Sequence, residues 1–409
     1  MKNNIYIFNE LTPAGDYGIG TYISQIKGCF YNDEYVSVKI IELCSKQEEF
    51  YFDKDSNTLH VPRGVRYSHD KRKQYLQGVI RLLALKIDSK EDITFIFNFF
   101  THSILIDLVR VYFPKSRIIF TVHYLEWTFL NKGNMHSFIN ALDKTTDRKI
   151  KKNEKLILYK IEEDRCVFEK ADHIICLSKF TYNLLLNYYC IDKTKISTIY
   201  NGLKDVVNSS LPSKVDLRKE LCISSKEKII LYVGRLHKDK GGRELIKAFR
   251  LILKDNPNSR LVIVGNGDIE LYQKQSESIW SKIIYTGRIN KEQVYKFIQI
   301  ADVGVLPSFS EQCSYVAIEM MKFGLPIVGT NSTGLEEMIE EGVTGYKVKL
   351  LEMEHDVLLP EDQLADRISK LLNMAEIKTI SNKSRQRFLD YYTIEKMHYN
   401  LKQIISTNY

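Results

Sequence analysis

Short apolar runs alternate with amphipathic segments along this chain, in two successive series, and few folds accommodate that order. In the first series Ile5–Phe8, Val36–Ile41, Thr94–Phe99, Arg117–His123, His173–Leu177 and Ile196–Tyr200 read as buried strands. Lys71–Leu85, Ile104–Tyr112 and Lys155–Lys170 read as helices among them. The second series has strands at Ile229–Val233, Arg260–Val264, Ile283–Tyr285, Val303–Leu306 and Ile327–Thr330, again separated by helical segments. Strands that alternate with helices form parallel sheets covered on both faces. A chain of 409 residues also exceeds what one core supports. The polar stretch 201–227, with Pro212, reads as a linker. The expected fold class is therefore α/β, with two doubly wound, Rossmann-like domains at 1–205 and 206–385 facing a cleft. A helical segment at 386–409 closes the chain.

Chemistry is expected at strand ends, where sheets of this kind bind ligands. After Val303–Leu306 comes a Pro/Ser turn, then a helical pattern of Val316, Met320 and Phe323 that stops at Gly324 and Pro326. The backbone N–H groups of Cys313, Ser314, Tyr315 and Val316 are the unpaired donors of such a helix start, suited to a phosphate. Glu311 falls in the loop and Glu319 about two turns along the helix, with seven residues between them. Amides for a diphosphate, flanked by carboxylates for hydroxyls, suit a sugar nucleotide. Eight residues of ideal helix rise about 12 Å. The carboxyl pair of a retaining glycosidase is roughly 5 Å apart. Two hydroxyl acceptors are thus expected rather than a nucleophile with its acid/base partner.

Directly after Ile229–Val233 comes Gly234-Arg-Leu-His-Lys-Asp-Lys-Gly-Gly242. Gly234 permits a close turn under a ligand, Arg235 can fork two phosphate oxygens, and Lys240 adds a charge near the start of helix Arg243–Leu253. The alternative is an ordinary loop with solvated cations. Asn266-Gly-Asp268 and Gly287-Arg288 are two further strand ends where a base and ribose could approach the backbone, or plain turns. Gly265-Asn-Gly267 lacks the third glycine and distal acid of a dinucleotide fingerprint, which disfavours a nicotinamide enzyme.

In the first series, Gly15-Asp-Tyr-Gly-Ile-Gly-Thr-Tyr22 leads into a helix. Gly18 and Gly20 open a space at its start, or Thr21 simply caps it. His123 ends a strand and points into the expected cleft, unless it is structural. Tyr124 and Glu126, just beyond, are acceptor-side candidates. Ser178-Lys179 is another strand-end helix start, an N-cap or a site.

The net charge of +8 is modest for this length, and its densest run is Lys144–Lys155, either a solvated helix face or a contact for anionic lipid. No aromatic ladder accompanies it, so nucleic acid is not expected. Seven cysteines show no Cys-x-x-Cys pair or metal-ligand spacing and read as buried free thiols in a reducing compartment. The longest apolar stretch, Ile93–Phe113, contains Asn98, His102, Asp107 and Arg110 and cannot span a bilayer. With no signal segment, a cytoplasmic protein is expected.

These residues together resemble the GT-B glycosyltransferases of family 4, the retaining enzymes. The resemblance covers most of the chain and is strongest from Tyr232 to Gly345. It rests on Gly18-Ile-Gly20, Thr121-Val-His123, Val233-Gly-Arg-Leu-His-Lys-Asp-Lys-Gly241 and Leu306-Pro-Ser308 with Glu311 and Glu319. Met320-Met-Lys-Phe-Gly-Leu-Pro-Ile-Val328, Thr333-Gly-Leu-Glu-Glu337 and Glu341-Gly-Val-Thr-Gly-Tyr346 complete the ordered series. The text around Trp127 and Glu311-Gln-Cys-Ser-Tyr315 is similar to a Bacteroidetes subgroup. The resemblance implies that Arg235 and Lys240 neutralise the donor diphosphate in place of a metal, and that Glu311 faces the transferred sugar. It gives Glu319 the ribose hydroxyls and His123 the sugar site, and returns the final helix to the first domain. Where the family commonly has Gly-Phe-Gly after the first glutamate, this chain has Gln312-Cys-Ser314, so donor identity does not carry over.

The expectation is a retaining hexosyltransferase moving a sugar from a UDP- or GDP-type donor to a glycan, lipid-linked or peptide acceptor. The setting would be surface-polysaccharide or glycoconjugate assembly, with no metal or other cofactor and with peripheral membrane contact through the basic run. A sugar-nucleotide epimerase of the same architecture and a non-catalytic two-domain sugar-binding protein are the alternatives.

Overall fold

The computed structural model describes residues 3–10, 18–63, 69–88, 91–143, 152–207, 211–354 and 356–406. The chain divides into two compact units. The first comprises Met1–Leu125, Tyr159–Tyr200 and Ile394–Tyr409, and the second Glu126–Leu158 and Asn201–Thr393. Segment 126–158, read from sequence as part of the first domain, thus belongs to the second unit.

The first unit is built on an eight-stranded sheet. Its strands are β1 (Asn3–Glu10), β2 (Val36–Ser45), β3 (Tyr51–Asp53), β4 (Thr58–Pro62), β5 (Ile93–Phe97), β6 (Arg117–Val122), β7 (His173–Cys176) and β8 (Ile196–Thr198). They lie in the order β3-β4-β2-β1-β5-β6-β7-β8, and only the β3–β4 pair is antiparallel. β5 is buried at all five residues, and Phe8, Phe95 and Phe97 stack in its neighbourhood, Phe8 and Phe97 with centroids 4.6 Å apart. The run expected to reach Phe99 ends at Phe97 because Asn98 turns away to bond the Phe8 carbonyl. The edge hairpin β3–β4 was not expected; its first strand is short and half exposed, with no apolar run to mark it.

The second unit carries a six-stranded, all-parallel sheet. Its strands are β9 (Lys228–Val233), β10 (Ser259–Val264), β11 (Ile283–Gly287), β12 (Val303–Leu306), β13 (Ile327–Thr330) and β14 (Gly345–Val348), ordered β11-β10-β9-β12-β13-β14. The chain runs outward from β9 through β10 to β11, then returns to the other side of β9 as β12. The strand order therefore reverses between β9 and β12, and a crevice opens beyond the carboxyl ends of such a pair. Register puts Tyr232 beside Ile263 on one flank and Val305 on the other, so the three strands end nearly level. Parallel strands need crossover connections, which set helices on both faces. Helices Gly242–Asp255 and Glu361–Leu372 pack together over one face. Lys291–Ile300, Tyr315–Lys322 and Ile377–Tyr391 pack in succession over the other. Leu245, Ile246, Phe249 and Ile252 of the first of these helices are fully buried on Ile230, Leu261 and Ile263.

A two-stranded hairpin, β15 (Leu351–Glu352) with β16 (Val357–Leu358), receives segment 126–143. Asn134 donates to the carbonyls of Met353 and Asp356, Ser137 to that of Glu354, and the Lys132 ammonium pairs with Asp356 at 2.8 Å. These polar contacts explain why the segment travels with the second unit.

The closing helical segment is broken at Tyr392–Thr393. Its last helix, Ile394–Ser406, packs on Gly18–Cys29 within the first unit, where Arg117 bonds the Ile404 carbonyl and Lys402 pairs with Asp33. The cysteines are free, but only Cys176 and Cys313 are buried. Cys166, Cys190 and Cys222 are exposed, the last two at positive-φ positions of 55° and 54°. Among the described residues, no helix is long and apolar enough to cross a membrane. Most of the basic run, residues 144–151, lies outside the described residues.

Candidate active site

Two loops of the second unit meet at its strand-order reversal. The first leaves β9 at Val233. The Gly234 N–H donates to Val264 and the Leu236 N–H to Asn266, while the Tyr232 hydroxyl donates to the Arg235 carbonyl at 2.7 Å. A single 3₁₀ turn, Lys238–Lys240, ends at Gly241 with φ 64°. A Cβ on Gly241 would lie 1.9 Å from the Pro307 carbonyl oxygen, so only glycine lets the first loop lie against the second. The Phe309 N–H then donates to the Asp239 carbonyl and joins the loops.

The second loop leaves β12 at Leu306 and carries Glu311. Its backbone is fixed from β13's far end: the Glu311 N–H donates to the Thr333 hydroxyl, which itself donates to the Glu311 carbonyl, and the Gly334 N–H donates there at 2.7 Å. The side chain is fixed from the first loop. Lys240 Nζ lies 2.5 Å from Glu311 Oε1, and Ser308 donates to the same oxygen at 3.1 Å. Both charged groups are about one-fifth exposed, 21% and 20%, so the pair is partly withdrawn from water yet reachable by a ligand. Arg235 is exposed at the start of the first loop.

Helix Tyr315–Lys322 follows. Its cap is Ser314, whose hydroxyl accepts from Ala317, so the helix starts later than the sequence suggested and Cys313 lies before it. Asn201 donates to the Cys313 carbonyl, and burial pushes the Cys313 thiol up to about 12, which suits packing and not nucleophilic attack. Glu319 lies about one turn along the helix rather than two. It is 3% exposed and pairs with Lys291, the first residue of the neighbouring helix. The structure thus draws two ion pairs, Lys240–Glu311 and Lys291–Glu319. Gly287 ends β11 at φ 66° with nothing near its missing side chain, and Arg288 beside it is exposed. Gly265 and Gly267 have another explanation: added side chains would strike the carbonyls of Gly234 and Leu236, so these glycines serve loop packing.

In the first unit, residues 11–17, including Gly15–Tyr17 of the glycine-bearing loop, lie outside the described residues. The helix begins at Gly18, which puts Gly20 and Thr21 inside its first turn; Thr21 is not the cap. Ser178 caps its own helix by accepting from Thr181. His123 follows β6 directly. Its Nε2 lies 2.9 Å from Asn98 Oδ1, and Tyr22 meets its ring edge-on at 4.7 Å. Asn98 donates its own amide to Phe8, so Oδ1 faces the histidine and Nε2 carries the proton. Nδ1 is left as an acceptor. Tyr124 packs on Phe100. Glu126 opens helix Glu126–Asn131 of the second unit, and Leu130 and Asn131 of that helix line a cavity of about 290 Å³ with Ser137 and Ile157.

A buried cluster that sequence reasoning missed lies where the first sheet reverses its strand order, at the end of β1. Burial alone would raise the Glu10 carboxyl, but hydrogen bonds from His102 at 3.0 Å and from both Arg72 terminal nitrogens hold it down at about 2.

Burial also pushes the His123 imidazolium down to about 3 and that of His173 to about 4, from 6.5. Both folded values lie below the unfolded one, so the unfolded chain takes up protons first as pH falls. Their stabilising contribution is complete above about 6.5 and is lost as pH falls toward 3–4. Thermal melts between pH 8 and 4 should decline across that window, and His123→Asn should flatten the decline. An unchanged slope in the variant would refute a neutral His123.

The family described as "Glycosyl transferases group 1" matches residues 213–391, and that described as "Glycosyltransferase Family 4" matches residues 18–205. The chain is 33% identical over 181 residues to an uncharacterised glycosyltransferase of Methanocaldococcus jannaschii, covering 43% of this chain and 46% of that one. It is 28% identical over 193 residues to the lipopolysaccharide 1,2-N-acetylglucosaminetransferase of Salmonella typhimurium, covering 44% and 49%. Matches of this kind span about half the length of the curated relatives. Sucrose-phosphate synthase from Thermosynechococcus elongatus superposes with a TM-score of 0.76 at 19% identity, covering 98% of both chains. An Anabaena protein solved with UDP-glucose superposes with a TM-score of 0.70 at 14% identity, covering 98% and 99%.

Proposed function

We propose that this chain, which belongs to the GT-B glycosyltransferases, is a retaining enzyme that moves a hexose-type sugar from a nucleoside diphosphate to an acceptor hydroxyl. The observation that carries the reading is the Lys240–Glu311 pair at the strand-order reversal of the second sheet. A lysine there can give further N–H donors to a diphosphate while it bonds one oxygen of the adjacent carboxylate, whose other oxygen can accept from a sugar hydroxyl. Arg235 supplies a second, exposed cation on the same loop. Glu319 accepts from the ribose, and the first-turn amides of helix Tyr315–Lys322 receive a phosphate oxygen. With two cations beside the diphosphate, the reaction runs without a metal. In the first unit, His123, neutral and with Nδ1 as an acceptor, is suited to a hydroxyl group.

Transfer with retention, as the resemblance suggests, proceeds by attack on the face the phosphate leaves, with a leaving-group oxygen receiving the acceptor proton. The UDP-glucose complex of the Anabaena protein makes a UDP-type donor the first to test, with glycan, lipid-linked and peptide acceptors alongside. The reading carries with it a cytoplasmic site of action in glycoconjugate assembly.

The test is release of UDP or GDP from a panel of sugar nucleotides, with and without acceptors. Nucleotide release that rises on adding an acceptor is the expected result. Conversion of donor to a second sugar nucleotide without acceptor would mark an epimerase instead.

A further inference from the structure

We propose that Lys291 is a positioning residue of the nucleotide site, holding one oxygen of Glu319 so that the other is presented to the ribose. The proposal rests on the reading of Glu319 as the ribose acceptor. Lys291 Nζ bonds Glu319 Oε1, while Oε2 makes no hydrogen bond among the described residues. Glu319 is almost wholly buried, whereas the Lys291 side chain is about half exposed, 49%. The ammonium therefore reaches inward from the rim to a carboxylate that has little water of its own.

The other nearby cation is already engaged. Lys322 donates to the Tyr295 hydroxyl at 2.9 Å and lies 4.1 Å from the centre of that ring. Tyr295 in turn meets Phe323 at 5.1 Å and pins the two helices together. Among the described residues, Lys291 is the one cation that pairs with Glu319. A buried carboxylate without a cation takes up a proton, and a protonated acid no longer accepts at both oxygens. Helix chemistry gives no reason for the residue: a lysine at the first position of a helix opposes the macrodipole, and Asn290 already caps the end through the Gln293 N–H. A ligand-directed role accounts for a cation in an otherwise unfavourable place.

The experiment is calorimetric titration of the full chain with UDP and GDP, with their 2′-deoxy and 3′-deoxy forms, and with inorganic pyrophosphate. Wild type should prefer a ribonucleotide by about tenfold or more, the scale of one hydrogen bond to a charged acceptor. Glu319→Gln and Lys291→Met should both bring that preference close to unity. Lys291→Arg should retain most of it, and pyrophosphate affinity should be the same in wild type and Lys291→Met. Lys291→Met keeping the full preference while Glu319→Gln loses it would overturn the role of Lys291 alone. No ribose preference in wild type would overturn the reading of Glu319, and the proposal with it.

Discussion

Lys240→Ala is expected to lower kcat/KM for sugar transfer by about tenfold to more than a hundredfold, the cost of removing a hydrogen bond to a charged group, about 1.5–3 kcal/mol. Two effects contribute. The diphosphate loses a charge-assisted donor, and Glu311, one-fifth exposed and otherwise bonded through its side chain, among the described residues, only by Ser308, loses its counter-charge. The double variant Lys240→Ala/Glu311→Gln separates them. Because Glu311→Gln itself removes a sugar contact, the readout is UDP or GDP affinity rather than turnover. If the lysine served only to satisfy Glu311, the second change would restore the affinity lost in Lys240→Ala, since a neutral amide needs no cation. The phosphate role predicts that nucleotide affinity stays low in both variants. Unchanged turnover in Lys240→Ala would remove the proposed site altogether.

Gly241→Ala should destabilise the second unit by about 2–4 kcal/mol, combining left-handed strain with an overpacked backbone contact. Its melting transition should fall by roughly 4–16 °C. The residue has φ 64°, and a methyl there would meet the Pro307 carbonyl at 1.9 Å. That oxygen belongs to backbone and cannot swing aside as a side-chain tip would. Gly287→Ala is the matching control, since Gly287 has φ 66° but no atom within 4 Å of the built side chain. It should lose only the conformational part, about 1 kcal/mol. Equal losses in the two variants would show that the loops do not touch as described. The Gly241 variant should also lose transfer activity beyond its loss of stability, because Lys240 is its immediate neighbour.

Strands β12 and β13 could be read to the residue from sequence, because each is a four-residue apolar run with a sharp boundary. β14 could not, since its residues mix apolar and charged character at a sheet edge. Lys240 and Glu311 were individually legible as polar residues after strands. That they meet depends on β12 returning to lie beside β9, and no local pattern encodes that choice. Lys291 was invisible for a similar reason: its partner lies on another helix, and tertiary packing, including that of Tyr295 on Lys322 and Phe323, brings those helices together. Segment 126–143 forms helices of six and eight residues and is held through Asn134 and Lys132, contacts that leave no periodic signature. Asn266-Gly-Asp268 reads from sequence as either a ligand approach or a plain turn, and the second holds, since the space beside Gly265 and Gly267 is filled by the chain itself.

The first unit is completed by helix Ile394–Ser406, and the second draws in residues 126–158 from the middle of the first. No single peptide-bond cleavage can therefore divide the protein into two self-sufficient pieces: a cut near residue 205 strands one element on each side. On the ribosome, everything the second unit needs has been synthesised by residue 393, while the first still waits for its last thirteen-residue helix. The half begun earliest is the half finished last.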